Sequence, residues 1–236
     1  MTAAVVPRAI PIVALDVPAL APAMALVERL GESCRFYKVG LELFTATGPE
    51  IVHRLRDRGA EVFLDVKFHD IPNTVRGGVR SAAALGARLV TVHASGGRAM
   101  LEAAVEGAGD RCTVLAVSVL TSMDGAALGE AWGRPGVTPG DEVLRLAALA
   151  RRSGVPGLVC SGEEAPLVTA AHGDALRLLV PGIRLAGGDR HDQARVVTPA
   201  EAQARGARWI ILGRAVTADA DPAAVMRRVL AGLSAG

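Results

Sequence analysis

The chain has 236 residues, half of them hydrophobic, with 26 basic against 24 acidic side chains and a formal net charge of +2. That length and apolar content suit one α/β barrel with a sizeable core, so residues 1–236 are expected to form a single domain. Near-balanced charge and an aromatic content of 3% argue against polyanion binding and base stacking, and no nucleic-acid partner is expected.

The N-terminus shows no basic segment followed by a long apolar one, and no apolar run approaches the length of a membrane span. A soluble cytoplasmic protein without a membrane partner is the expectation. Short apolar runs then alternate with longer amphipathic stretches. Strands are predicted, in order, at Ile10–Asp16, Phe36–Gly40, Glu61–Lys67, Leu89–His93, Thr113–Val119, Gly157–Ser161, Leu176–Val180 and Trp209–Leu212. Helical periodicity falls between them, as in Ala19–Leu30, Pro49–Arg58, Thr74–Leu85, Met100–Ala108, Asp141–Arg152 and Ala200–Arg205. Thr138-Pro139, Thr198-Pro199 and Asp221-Pro222 each place a cap residue before a proline suited to the first turn.

Nearly continuous apolar strands indicate a parallel sheet covered on both faces. Eight strand–helix units predict a (β/α)8 barrel of the TIM type, with a doubly wound open sheet as the rival. Cys34, Cys112 and Cys160 are far apart and show no ligand spacing, so buried free thiols are expected rather than disulfides or a zinc site. Polar residues gather where the strands end: Asp16, Lys38, Asp65 with Lys67, His93, Ser118 with Thr121, Ser161, Arg184 and Gly213-Arg214. In a barrel these ends open onto one face, the face that carries active sites.

Lys38 and Lys67 are the only lysines; every other basic residue is arginine. Arginine holds charge but does not release a proton, whereas lysine's compact ammonium can. Asp65 and Lys67 stand two apart on a strand and so should share a face. Asp70 follows at the turn, and Lys38 is available from the neighbouring strand. This alternating array has no net charge, and its carboxylates offset the cost of burying an ammonium. A structural ion-pair network fits the charge pattern equally well.

Asp65-x-Lys67-x-x-Asp70-Ile71-Pro72-Asn73-Thr74 closely resembles the signature of the orotidine 5′-phosphate decarboxylases, in their bacterial form. Ala14-Leu15-Asp16, Tyr37-Lys38-Val39-Gly40, Ser118-Val119-Leu120-Thr121-Ser122-Met123, Val180-Pro181-Gly182-Ile183-Arg184, Asp192-Gln193 and Leu212-Gly213-Arg214 extend the resemblance over nearly the whole chain. The resemblance implies decarboxylation of orotidine 5′-monophosphate to uridine 5′-monophosphate, without metal or cofactor. Lys67 would donate a proton to C6, Asp65 would face the scissile carboxylate, Lys38 would bridge Asp65 and the ribose, and Asp16 would hold a ribose hydroxyl. Asp70 would complete the catalytic group by reaching, with Thr74, into the partner's site of a homodimer. Thr121, with Ser118 or Ser122 nearby, would read the pyrimidine. Ile71, Pro181, Arg184, Gln193, Gly213 and Arg214 would complete the substrate contacts, the last four towards the phosphate.

Loops after the last two strands often form the phosphate site of such barrels, and Gly187-Gly188 suits a mobile lid. Two rival readings are a magnesium-dependent phosphosugar decarboxylase or aldolase on the same barrel, and a catalytically silent nucleotide-binding protein. The intact lysine pair argues against the second. His69 reads as a strand-end filler, and His93 as packing or bonding beneath the site.

Overall fold

The structure, a computed structural model, describes residues 8–185 and 197–234. Eight parallel strands follow one another around a closed barrel. They are β1 (Ile10–Ala14), β2 (Phe36–Gly40), β3 (Glu61–Phe68), β4 (Leu89–His93), β5 (Thr113–Val117), β6 (Gly157–Val159), β7 (Arg177–Val180) and β8 (Ala207–Leu212). Ile10–Val13 pair in parallel with Trp209–Leu212, which joins the first strand to the last and excludes the open sheet.

The helices include α1 (Leu20–Leu30), α2 (Leu41–Thr47), α3 (Glu50–Asp57), α4 (Pro72–Ala84), α5 (Arg98–Ala108) and α6 (Gly125–Trp132). They continue with α7 (Pro139–Arg152), α8 (Ala165–His172), α9 (Pro199–Ala204), α10 (Arg214–Thr217) and α11 (Pro222–Ser234). The three expected caps form. Thr138 and Thr198 accept hydrogen bonds from the amides of Asp141 and Glu201, and Asp221 accepts from Ala224. Each satisfies an amide that the helix start leaves without a partner, a contribution of about 1 kcal/mol.

Alternation along each strand divides the core in two. Ile12, Ala14, Phe36, Phe63, Leu89, Leu115, Leu179, Trp209 and Ile211 point inward and plug the barrel. The residues between them, such as Val13, Tyr37, Val62, Leu64, Val90 and Val92, pack outward beneath the helices. Burying each large member of the plug contributes about 1.5–3 kcal/mol. The same parity carries the inner face onward from Phe36 to Lys38, from Phe63 to Asp65 and from Leu89 to Thr91. An apolar plug therefore bears a polar layer at the C-terminal end of the strands.

The three cysteines are buried free thiols, as expected. Burial pushes Cys34 up to about 11 and Cys112 up to about 12, so neither offers a thiolate at neutral pH.

Candidate active site

A cavity of about 310 Å³ opens at the C-terminal end of the barrel. Asp16, Lys38, Asp65 and Lys67 line one end, and Arg184, Gly213 and Arg214 line the other. Between them run apolar walls that include Val117, Val119, Val159 and Ile211, together with Thr121 and Pro181. Apolar walls lower the local dielectric and so strengthen electrostatic interactions inside the cavity.

The charged end forms a chain. Lys38 Nζ lies 2.7 Å from Asp16 Oδ1 and 3.9 Å from Asp65 Oδ2, while Lys67 Nζ donates to Asp65 Oδ1 at 2.9 Å. Asp65 and Lys38 are deeply placed, their side chains 13% and 11% exposed, whereas Asp16 at 62% stands at the mouth. Lys67 lies between, at 31%, with its ammonium open to the cavity. Two carboxylates and two ammoniums alternate, so each charge is paired while the group stays accessible. Gly40 is part of this packing: a Cβ there would stand 3.0 Å from Lys38 Nζ and 3.3 Å from Asp16 Oδ1.

Lys67 reaches Asp65 by an unexpected route. A regular strand would bring the two together by alternation alone, but β3 departs from regularity between them. Its pairing with β4 shifts between Leu64↔Val90 and Phe68↔Val92. Asp65, Val66 and Lys67 thus stand opposite Thr91 alone, in the manner of a β-bulge. Lys67 takes φ +50°, the only non-glycine at positive φ among the described residues. For an L-residue this conformation costs about 1–2 kcal/mol. Such strain persists only where its surroundings hold it.

Two histidines stand beside the bulge, with ring centroids 5.4 Å apart. Burial lowers the pKa of His93, and the neighbouring His69 and Lys67 lower it further against the opposing charge of Asp65. At neutral pH His93 is therefore an uncharged packing group. His69 is exposed beyond the end of the layer.

The remaining expected residues fall into three places. Asp70, Ile71 and Thr74 lie outside the cavity lining, exposed on the turn that starts α4. Asp70 accepts the Ile71 amide at 2.6 Å, which fixes that turn, and Ile71 leaves 68% of its surface exposed. Ser118 also lies off the lining: it is buried, and its hydroxyl donates to the Val159 carbonyl at 2.6 Å. Of the hydroxyls expected near the pyrimidine, Thr121 lines the cavity and Ser118 and Ser122 do not. Gln193 and the Gly187-Gly188 pair lie outside the described residues. Before that segment, Arg184 donates its amide to the Val197 carbonyl at 2.9 Å. Val197 also bridges Ile183, so both flanks are tied together at the cationic end.

Thr91 and Gly40 were not singled out from the sequence. Thr91 resembles any β-branched strand residue, and no pattern signals its position opposite a bulge. Gly40 ends the Tyr-Lys-Val-Gly run, where a glycine closing a strand beside a lysine hints at close approach.

The sequence matches the model of the orotidine 5′-phosphate decarboxylase / HUMPS family over residues 10–229. An orotidine 5′-phosphate decarboxylase of Halorhodospira halophila is 51% identical over 227 residues, covering 95% of each chain. One from Anaeromyxobacter sp. strain K is 52% identical over 220 residues, covering 93% of this chain and 96% of its own. The crystal structure of orotidine 5′-phosphate decarboxylase from Lactobacillus acidophilus superposes with a TM-score of 0.85 at 34% identity, covering 96% of this chain and 99% of that one. With these matches running through every strand of the barrel and every segment of the cavity described above, the chain belongs to the orotidine 5′-phosphate decarboxylase / HUMPS family.

Proposed function

We propose that this protein decarboxylates orotidine 5′-monophosphate to uridine 5′-monophosphate, the last step of de novo pyrimidine biosynthesis. The observation that carries the reading is the cavity's division into a paired Lys/Asp array at one end and two arginines at the other. Relatives about half identical over nearly the whole chain carry the decarboxylase name, and neither rival reading draws support from them.

Arg184, Gly213 and Arg214 receive the phosphate, with arginine suited to fork onto its oxygens. Phosphate binding far from the reacting carbon supplies energy for positioning. Asp16 and Lys38 take the ribose, and Thr121 reads the pyrimidine. The scissile carboxylate then lies beside Asp65. When the C6–carboxylate bond breaks, carbon dioxide departs and the electron pair stays on C6. Lys67 Nζ stabilises that charge and transfers a proton to C6. The reaction needs no electron sink in this scheme, and we assign no metal or cofactor. Lys67 is left as a neutral amine, reprotonated from solvent after product release.

The exposed turn of Asp70, Ile71 and Thr74 fits a second copy of the chain. A large apolar residue held at the rim suits burial in an interface. We take the working unit as a homodimer in which Asp70 and Thr74 reach the partner's site, and each protomer as one catalytic domain. Among the described residues no helix is long and apolar enough to cross a membrane. A cytoplasmic location is our reading of a biosynthetic enzyme.

The test is ultraviolet absorbance of orotidine 5′-monophosphate mixed with chelator-treated protein, with Lys67→Ala in parallel. Conversion by the wild type alone is expected. Binding without turnover by the wild type would favour the silent binder, and neither binding nor turnover would favour the phosphosugar reading.

A further inference from the structure

We propose that Thr91 is a positioning residue for this reaction, holding Asp65 and the left-handed backbone of Lys67 in register through one hydroxyl. The inference rests on the decarboxylase reading. Thr91 is 1% exposed and does not line the cavity, so it acts through its neighbours and not on substrate.

The hydrogen bonds run in one direction. Lys67 N–H, displaced from regular pairing by the bulge, donates to Thr91 Oγ1 at 3.0 Å. A half-buried amide taken out of the ladder needs an acceptor, and Thr91 supplies it. The hydroxyl proton then goes to Asp65 Oδ1 at 2.9 Å. The same Asp65 oxygen accepts Lys67 Nζ, also at 2.9 Å. Two donors on Oδ1 fix the carboxylate's rotation and leave Oδ2 on the side of Lys38. Thr91 thereby couples the conformation that aims the Lys67 ammonium to the orientation of the carboxylate beside it. Valine, of nearly the same shape, would accept nothing from Lys67 and donate nothing to Asp65.

The experiment compares wild type, Thr91→Val and Thr91→Ser in steady-state decarboxylation, with rates scaled to folded protein from thermal unfolding. Loss of positioning should lower kcat of the valine variant by about 10²-fold. KM should move by less than about threefold, because the phosphate and ribose contacts lie elsewhere. Serine keeps the hydroxyl and should restore kcat to within about fivefold of wild type. Packing alone would lower the melting temperature of both variants and leave kcat per folded molecule unchanged.

Wild-type kcat in the valine variant, or a serine variant as impaired as valine, overturns the proposal. If the valine variant does not fold, Thr91→Ala set against Thr91→Ser isolates the hydroxyl on the same terms. Wild-type turnover reports on the reaction, whereas the contrast between variants reports on Thr91, so the two failures are distinguishable.

Discussion

Lys67→Gly should be more stable than Lys67→Ala, an ordering opposite to that at an ordinary strand position. Both substitutions delete the ammonium and its bond to Asp65, so their difference isolates the backbone. At φ +50° an L-residue carries a penalty of about 1–2 kcal/mol that glycine escapes. Against this, alanine narrows the unfolded ensemble and regains about 0.4–1 kcal/mol. The balance centres on about 0.8 kcal/mol in favour of glycine, or about 2–3 °C in Tm for a chain of this size. Paired thermal and urea unfolding would measure it, with Val66→Gly and Val66→Ala as the control. Val66 is not at positive φ, so alanine should be the more stable there. If Lys67→Ala is the more stable of the two, the strain assigned to the bulge is absent and the account of how Lys67 is aimed fails.

Removing the Arg214 guanidinium (Arg214→Ala) should cost catalytic efficiency on the nucleotide by about 10–150-fold, the worth of a charge-assisted hydrogen bond. It should scarcely affect the unphosphorylated nucleoside, and equal losses in kcat/KM on the two would remove Arg214 from the phosphate site. Mixing inactive Lys67→Ala and Asp70→Ala proteins should regenerate up to about a quarter of wild-type activity, through the intact site of each hybrid dimer. Persistent inactivity despite subunit exchange would place Asp70 outside the partner's site. Glu142 is buried, yet hydrogen bonds from Arg145 and Arg134 outweigh the upward push of burial and hold its pKa below the ordinary 4.5. A depressed carboxylate stabilises the fold above its unfolded pKa, and that contribution fades as pH falls through the folded value. The stability gap between wild type and Glu142→Gln should therefore shrink from about pH 5 downwards, and a urea midpoint difference independent of pH would contradict it.

Much of the barrel is legible because its apolar runs end on polar residues. β2 and β4 match their predicted limits, since regular pairing runs to their last residues, Gly40 opposite Asp65 and His93 opposite Val117. β1, β5 and β6 stop two residues before prediction, at Ala14, Val117 and Val159. Asp16, Val119 and Ser161 continue the sequence pattern but leave the ladder as the chain turns over the cavity or towards the next helix. Short helices such as α2, α8 and α10 pass through too few turns for periodicity to show.

At the site, the pairing of Asp65 with Lys67 is legible from spacing, but its cause is not. No glycine marks the left-handed position, so the bulge leaves no trace in the sequence. Ser118 shows the converse. Its place in the motif suggests a substrate contact, whereas a carbonyl on the neighbouring strand takes its hydroxyl. Which way a hydroxyl turns depends on the partner across the ladder, and sequence spacing does not carry that.

The scarcity of lysine has a practical side. Both ε-amines in the sequence line one cavity, and arginine does not react with ordinary acylating reagents. Apart from the α-amine, amine-directed labelling of this protein is labelling of its cavity. Lys67, the more open of the two, should be acylated ahead of Lys38, and an occupying nucleotide would shield both. Reagents used elsewhere to decorate a surface would here report occupancy of the barrel mouth, while a support coupled through lysine would block the site it was meant to display.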